Sequence, residues 1–393
     1  MRYLITVFFI ITGTVFCSGQ SGINKKPIND FSFSLLNSLS ETENNGNIFI
    51  SPISIYTSLS MITNGASYGT KSEMINYLGF ENDELVLLNS YNLNLNKELK
   101  SNKETSSANA LWYPKNLSVK TMFKKTLEGS YAAKIKGVDF NKPDKVEKSI
   151  NNWVANETND KITNIISDIS KDDRMILVNT LYFNGIWQHQ FDEKLTKDRD
   201  FVKEDGSVVK AAFISENNQL YKRVITTTIY AIDIPYKGGD FTMTLLMPFD
   251  KTVKMNDFVK TLSSEKLRSI NEKMELKEVY LLFPKLKVDY EIDMVETLKN
   301  QGLSSPFNYS AQFENLFKQY DEDLHISKIA HKTFLDVNEM GTEAAAATAV
   351  SISRSSFNPE KKEFYFDRPF VLIIKNTKTS NIIFMGVIRE PSY

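Results

Sequence analysis

Glu339-Met340-Gly341-Thr342-Glu343-Ala344-Ala345-Ala346-Ala347-Thr348-Ala349-Val350 is the stretch on which the fold turns. Its local signals conflict. Four successive alanines favour helix intrinsically, whereas Thr348, Val350 and Ile352 prefer strand. As a helix, the segment is an ordinary alanine-rich one. As a strand, its side chains alternate between two faces. Thr342, Ala344, Ala346, Thr348 and Val350 then share a small face that can be buried. Glu343, Ala345, Ala347 and Ala349 share the other, which carries the only charge and can stay wet. Such a segment can enter between two existing strands at little steric cost, with Gly341 supplying the bend.

The flanking sequence reads as helices first and strands later. Ser51-Pro52 is a helix start, a capping hydroxyl followed by a proline that needs no backbone N–H. Ile55, Leu59 and Ile62 follow at helical spacing, and Asn64-Gly65 ends the run. Thr70-Lys71-Ser72-Glu73 reads as a capping box opening the next helix. Val146, Ile150, Trp153 and Val154 mark another amphipathic helix. In the second half, residues 231–236 and 241–247 flank Lys237-Gly238-Gly239-Asp240, a hairpin signal. Residues 279–283 read as a strand, and residues 370–375 and 382–388 as a second hairpin around a loop at 377–381. Helices segregated from mostly antiparallel strands imply an α+β fold. With no internal repeat, low-complexity tract or Pro/Gly linker, the expectation is one domain over residues 20–393.

Residues 1–19 read as a secretory signal peptide: a basic start at Met1-Arg2-Tyr3, an apolar run from Leu4 to Phe16, and small residues before Gln20. That run is short of the ~20 apolar residues of a membrane span, and no later stretch reaches that length, so no membrane association is expected. The only cysteine is Cys17, inside this segment, which leaves a mature chain without disulfides or thiol chemistry. A secreted, extracellular monomer is the expectation. Asn116-Leu117-Ser118, Asn156-Glu157-Thr158 and Asn308-Tyr309-Ser310 are candidate glycosylation sequons. The formal net charge of −1 gives no footprint for nucleic acid.

Enzymatic signatures are missing. His189, His325 and His331 are the only histidines, without a Gly-X-Ser-X-Gly elbow, a His-Glu-X-X-His zinc motif or a phosphate-binding glycine loop. No catalytic residue, metal or cofactor is expected.

The stretch beginning at Glu339 resembles the hinge of inhibitory serpins at every position but Met340. Other segments resemble the same family in the same order. They are Asn47-Ile48-Phe49-Ile50-Ser51-Pro52-Ile53-Ser54-Ile55, Asn179-Thr180-Leu181-Tyr182-Phe183-Asn184-Gly185-Ile186-Trp187, Phe283-Pro284-Lys285, Asp367-Arg368-Pro369-Phe370 and Phe384-Met385-Gly386. The resemblance implies helices packed on three β-sheets, with an exposed reactive-centre loop at about 339–368. It implies a suicide-substrate inhibitor of serine proteases: the target cleaves the loop and is held as an acyl-enzyme, and the loop then enters the central sheet as a strand. From Glu339 to Ser355 an extended strand reaches about 55 Å, close to the diameter of a compact chain of this size, roughly 50–55 Å. An inserted loop would carry its cargo from one pole to the other.

The resemblance also assigns residues. The hinge comprises Glu339, Gly341, Thr342, Glu343, Ala344, Ala345, Ala346, Ala347 and Thr348. Ser51, Ser54, Asn179 and His331 match the family's shutter, a polar cluster where strands part, though ordinary buried hydrogen bonding would look the same. Trp187, Lys285 and Glu339 match the breach at the top of the sheet, where a Glu339–Lys285 ion pair would anchor the loop. Family spacing places the reactive bond at Ser355–Ser356, with Arg354–Ser355 as an equal rival. Ser355 suits an elastase-like target, Arg354 a trypsin-like one and Phe357 a chymotrypsin-like one. Lys97, Lys100 and Lys103 are offset by Glu98 and Glu104, so no heparin-type polyanion site is expected. A non-inhibitory serpin acting as carrier or chaperone, or an inhibitor of cysteine proteases, are the alternative readings.

Overall fold

The computed structural model describes residues 27–43, 45–319, 323–343 and 362–393. The first half runs α1 (Pro27–Thr42), β1 (Ile48–Ile50), α2 (Pro52–Thr63), α3 (Tyr68–Tyr77), α4 (Leu85–Lys100), β2 (Thr105–Pro114), α5 (Thr121–Thr126), β3 (Lys134–Val138), α6 (Pro143–Glu157), β4 (Met175–Phe183) and β5 (Gly185–Ile186). The rest runs β6 (Lys197–Val202), β7 (Val208–Ile225), β8 (Ile229–Pro235), β9 (Phe241–Pro248), α7 (Met255–Lys260), α8 (Ser264–Lys273), β10 (Glu275–Pro284), β11 (Leu286–Asp293), α9 (Val295–Asn300), β12 (Ile326–Val337), β13 (Gly341–Thr342), β14 (Lys362–Tyr365), β15 (Phe370–Asn376) and β16 (Ile382–Ile388). The expected α+β class holds, and so do both expected hairpins, β8–β9 and β15–β16.

The strands form two hydrogen-bonded networks. Seven build the central sheet in the order β3-β2-β4-β12-β13-β5, with β11 on the other edge of β12. The other nine run β1-β16-β15-β9-β8-β7-β10-β14, with β6 on β7. The second and third expected sheets are thus joined. The cause is the length of β7, whose start carries β6 while its last four residues carry β8.

One continuous apolar core runs from Ile28 to Ile388. A smaller cluster lies on the outer face of the central sheet. There Val146, Ile150, Trp153 and Val154 of α6 cover Trp112, Ile176, Val178 and Ala330. The helical spacing of those α6 residues is the cause of this cover.

Two helix starts differ from their sequence reading. α2 does begin at Pro52, but the Ser51 hydroxyl makes no cap and donates instead to Ile383 O at 2.9 Å. Thr70 and Glu73 do not form a capping box, because α3 has already begun at Tyr68. Thr70 Oγ1 accepts from Gln312 N, and Glu73 accepts from Ser304 N. A tertiary loop captures both polar groups and outcompetes the local cap.

Gly386 permits a close strand approach in the second network. It pairs with Phe49 of β1, and a Cβ there would collide with Ile48 O and lie 3.1 Å from Phe49 Cα. Because β1 leads directly into Ser51, this contact also sets the floor under the central sheet. Gly386→Ala should cost ~1–3 kcal/mol through overpacking, measured as a lower urea midpoint. An unchanged midpoint would show that the two strands can separate freely.

Candidate functional site

The site is a parting between parallel neighbours. β4 and β12 pair from Met175 with Ile326 up to Thr180 with Lys332, and there their ladder ends among the described residues. Further up, Thr342 lies between them, paired with Val337 of β12 and with Gly185 of β5, antiparallel to both. Gly341 pairs with Ile186, and a Cβ at Gly341 would collide with Gly185 O. Gly341 is therefore needed here for close approach as well as for a bend. The Glu343 N–H extends the contact by donating to Asp336 O at 2.8 Å.

The residues just before β13 are held from several sides. Trp187 N donates to Met340 O at 3.0 Å, and Phe191 N to Glu339 O at 2.9 Å. Trp187 Nε1 donates to Asn338 O at 2.8 Å. The Trp187 ring stacks on Tyr236 with centroids 4.5 Å apart. Beneath the hinge, Tyr236 Oη and Thr342 Oγ1 share a hydrogen bond of 2.7 Å. Lys285 Nζ stands 3.1 Å from Glu339 Oε2, with the side chains 18% and 5% exposed. Glu339 Oε1 accepts from Thr196 Oγ1 at 2.6 Å. Burial opposes ionisation of Glu339, but the Thr196 hydroxyl and Lys285 outweigh it and hold the carboxyl below its usual range. Burial likewise disfavours the Lys285 ammonium, and Glu339 more than offsets that. Because both groups are largely out of water, this is not a loose surface ion pair.

Glu343 corrects the expectation of a wet second face. Its side chain is only 2% exposed, with Lys161 at 3.8 Å. Lys161 lies just beyond α6, so the cover of the outer face extends over the hinge. Burial pushes the Glu343 carboxyl up to about 7, against the opposing pull of Lys161.

Lower in the sheet, Asn109, Asn179 and His331 stand side by side on β2, β4 and β12. Ser51 N donates to His331 Nε2 at 3.1 Å, so the imidazole proton resides on Nδ1. Burial drives the pKa of His331 down to about 3, which keeps the ring neutral. Asn179 Nδ2 donates to Asn109 Oδ1, and Asn109 Nδ2 to Tyr131 O at 3.2 Å. Ser54 is buried on the first turn of α2, its N–H on Ser51 O. Among the described residues, His331 Nδ1 and Asn179 Oδ1 lack partners.

The structure thus brings Trp187, Lys285 and Glu339 together at the top of the parting, and Ser51, Ser54, Asn179 and His331 beneath it. Ala344, Ala345, Ala346, Ala347, Thr348, Arg354, Ser355 and Ser356 lie outside the described residues, as do residues 1–19. Asn116, Asn156 and Asn308 are all exposed. Thr196, Tyr236, Asn109 and Lys161 join the site without any local sequence signal. Among the described residues, no cluster of His, Cys, Asp and Glu could hold a metal ion, and no helix is long and apolar enough to cross a membrane.

Comparison with known proteins agrees with this geometry. The model for "Serpin (serine protease inhibitor)" matches residues 26–391. The chain is 30% identical to human antithrombin-III over 365 residues, covering 90% of this chain and 78% of that protein. It is 32% identical to the leukocyte elastase inhibitor of Bos taurus over 372 residues, covering 92% and 97%. The structure of human thyroxine-binding globulin complexed with its ligand superposes with a TM-score of 0.86 at 26% identity, covering 93% of this chain and 98% of that one. The chain belongs to the serpin family. That family is generally one of protease inhibitors, not enzymes, and it has inhibitory members among these relatives.

The raised Glu343 pKa has a pH consequence. A carboxyl that holds its proton more tightly when buried favours the buried arrangement most at low pH. That support declines as pH rises from its ordinary value of 4.5 to about 7, and is gone above. Relative to Glu343→Gln, the wild-type urea midpoint should therefore fall across this window and then level off. Parallel curves for the two proteins would mean Glu343 is already solvated.

Proposed function

We propose that this protein is a secreted inhibitor of serine proteases that works as a suicide substrate, its cleaved loop entering the central sheet as a strand. The observation that carries this reading is Thr342, already seated between β12 and β5 and antiparallel to both. The first rung of an inserted strand is thereby in place.

Continuing the register residue by residue from Thr342 supports the proposed loop. Ile352 would come opposite Met175 and Ser353 opposite Ile326, the residues at the far ends of the flanking strands, where β4 and β12 begin. Arg354 and Ser355 follow at once, so a cut at Ser355–Ser356, or equally at Arg354–Ser355, leaves the bound protease just past the end of the sheet. The target's own serine attacks the bait carbonyl and expels the amine of the next residue. Insertion then drags the acyl-enzyme to the far pole and deforms its oxyanion hole before water completes hydrolysis. Around a dozen new ladder bonds at ~0.5–1.5 kcal/mol each supply on the order of ten kcal/mol. The uncleaved state is then a kinetic trap.

The same register gives the shutter a role. Thr348 would enter between His331 and Asn179, now direct neighbours. Its hydroxyl would meet the unpartnered Nδ1–H and Oδ1. Ala345, Ala347 and Ala349 would face α6, on the same side of the sheet as Ala330. In this reading residues 1–19 are the signal peptide, residues 20–393 one domain, and exposed Asn116, Asn156 and Asn308 candidate glycan sites. The partner is a protease, without a polyanion cofactor.

Mixing the protein with trypsin-like, elastase-like and chymotrypsin-like proteases should give an SDS-stable complex with at least one. Sequencing the released C-terminal peptide then identifies the bond. Cleavage by every protease with no covalent complex would falsify the inhibitor reading. Thr348→Val should lower the urea midpoint of the loop-cleaved protein by an amount equivalent to ~1–3 kcal/mol, and leave the intact protein unchanged. An equal effect on both forms, or on neither, would contradict the register.

A further inference from the structure

Lys285 is the single residue between β10 and β11, and so between the two hydrogen-bonded networks. Its N–H donates to Ala212 O at 2.8 Å, which fixes the backbone. Its ammonium meets Glu339 on one side. On the other it lies over the ring of Tyr393, 4.1 Å from the centroid.

Tyr393 is placed there by a staked segment. Asn47 Oδ1 accepts from Arg389 N at 2.8 Å and from Glu390 N at 3.1 Å, and Asn47 Nδ2 donates to Glu390 O at 2.7 Å. Lys203 pairs with Glu390 at 3.3 Å. Two residues on, Lys287 N donates to Ser392 O at 2.6 Å, and Ser392 Oγ donates to Lys287 O at 2.9 Å. The backbone is held on both sides of Pro391, while the Tyr393 side chain is 60% exposed. The ring therefore contributes little as buried core. Its ring faces the ammonium that anchors the hinge, while its hydroxyl also meets Lys285 and lies in the field of the Asp336 carboxylate.

We infer that Tyr393 is a positioning residue for the loop hinge: its ring holds the Lys285 ammonium against Glu339 and so limits how often Glu339–Thr342 leaves its place between β12 and β5. The physical basis is the attraction of a cation to the ring face, which is stronger when the cation is partly desolvated, as Lys285 is. Without the ring, the long Lys285 side chain regains its rotamers and swings to water. Glu339 then keeps its burial but loses its counter-charge. Thr196 alone cannot compensate a carboxylate at that depth.

This inference rests on the hinge role proposed above, so its test is read on the free protein, apart from any protease. Hydrogen exchange at the Thr342 amide reports opening of the hinge at fixed pH. Tyr393→Ala should speed it by roughly threefold to tenfold. Tyr393→Phe, which keeps the ring and loses only the hydroxyl contact to Lys285, should stay well below the Ala rate, and Tyr393→Leu, apolar but without a quadrupole, should behave like Ala. In a Lys285→Met background, Tyr393→Ala should add nothing further. A wild-type rate in Tyr393→Ala, rescue by Leu as good as by Phe, or additivity with Lys285→Met would each overturn the assignment. If Thr342 exchange follows this pattern but no protease forms a covalent complex, the latch stands and the inhibitor reading fails. If a covalent complex forms and exchange is unchanged, the inhibitor reading stands and the latch fails.

Discussion

Everything at this site depends on two parallel strands that stop pairing half-way. β4 and β12 are laddered up to Thr180 and Lys332, and by Gly185 and Val337 they have separated enough to accept Thr342 between them. A parallel pair cannot lose its ladder without leaving backbone groups in need of partners. An entering antiparallel strand supplies those partners on both of its sides. At the split, residues 340–343 already supply such partners to both flanking strands.

In the proposed insertion, the entering strand would pass between two layers that pack on either side of the sheet. Above the sheet, α6 lies across β2, β4 and β12 through Trp112, Trp153, Val178 and Ala330. Beneath it, α2 and the Ser51 corner are fixed by the close β1–β16 pairing at Gly386. A strand entering between these layers would place alanine and threonine against them over most of its length. The burial of Glu343 beneath Lys161 shows the cover begins at the first outward-facing position.

Much of the fold was legible in the sequence because it is written locally. The apolar runs at 241–247 and 382–388, the Gly-Gly turn between β8 and β9, and the α6 spacing all appear as strands, hairpins and an amphipathic helix. What was not legible is written over long range. Thr70 and Glu73 have the spacing of a capping box, yet a loop more than two hundred residues away captures both. The Ser51 hydroxyl has the position of a cap and turns instead to Ile383 O. Tyr236 and Thr196 belong to the hinge only because the second network carries them under Thr342 and Glu339. No periodicity within a short window contains that information. The charge on Glu343 suggested a wet face because a lone acid usually marks solvent. The cover that buries it comes from the segment after α6.

The polar cluster under the parting shows how such a sheet can be both stable and ready to change. Asn109, Asn179 and His331 are nearly dry, and the imidazole is kept neutral by burial. A neutral ring with Nε2 occupied by Ser51 N–H has one donor left, and Asn179 has one acceptor left. In the proposed insertion, these two atoms lie on the strands that would separate. An apolar pair at the same place would resist separation by losing contact area and gain nothing from a newcomer. A pair with one unmet donor and one unmet acceptor loses less on separating and is completed by a hydroxyl. The chemistry that leaves the paired strands imperfect is the chemistry that an entering strand would satisfy, which places part of the driving force at the point where the strands must open.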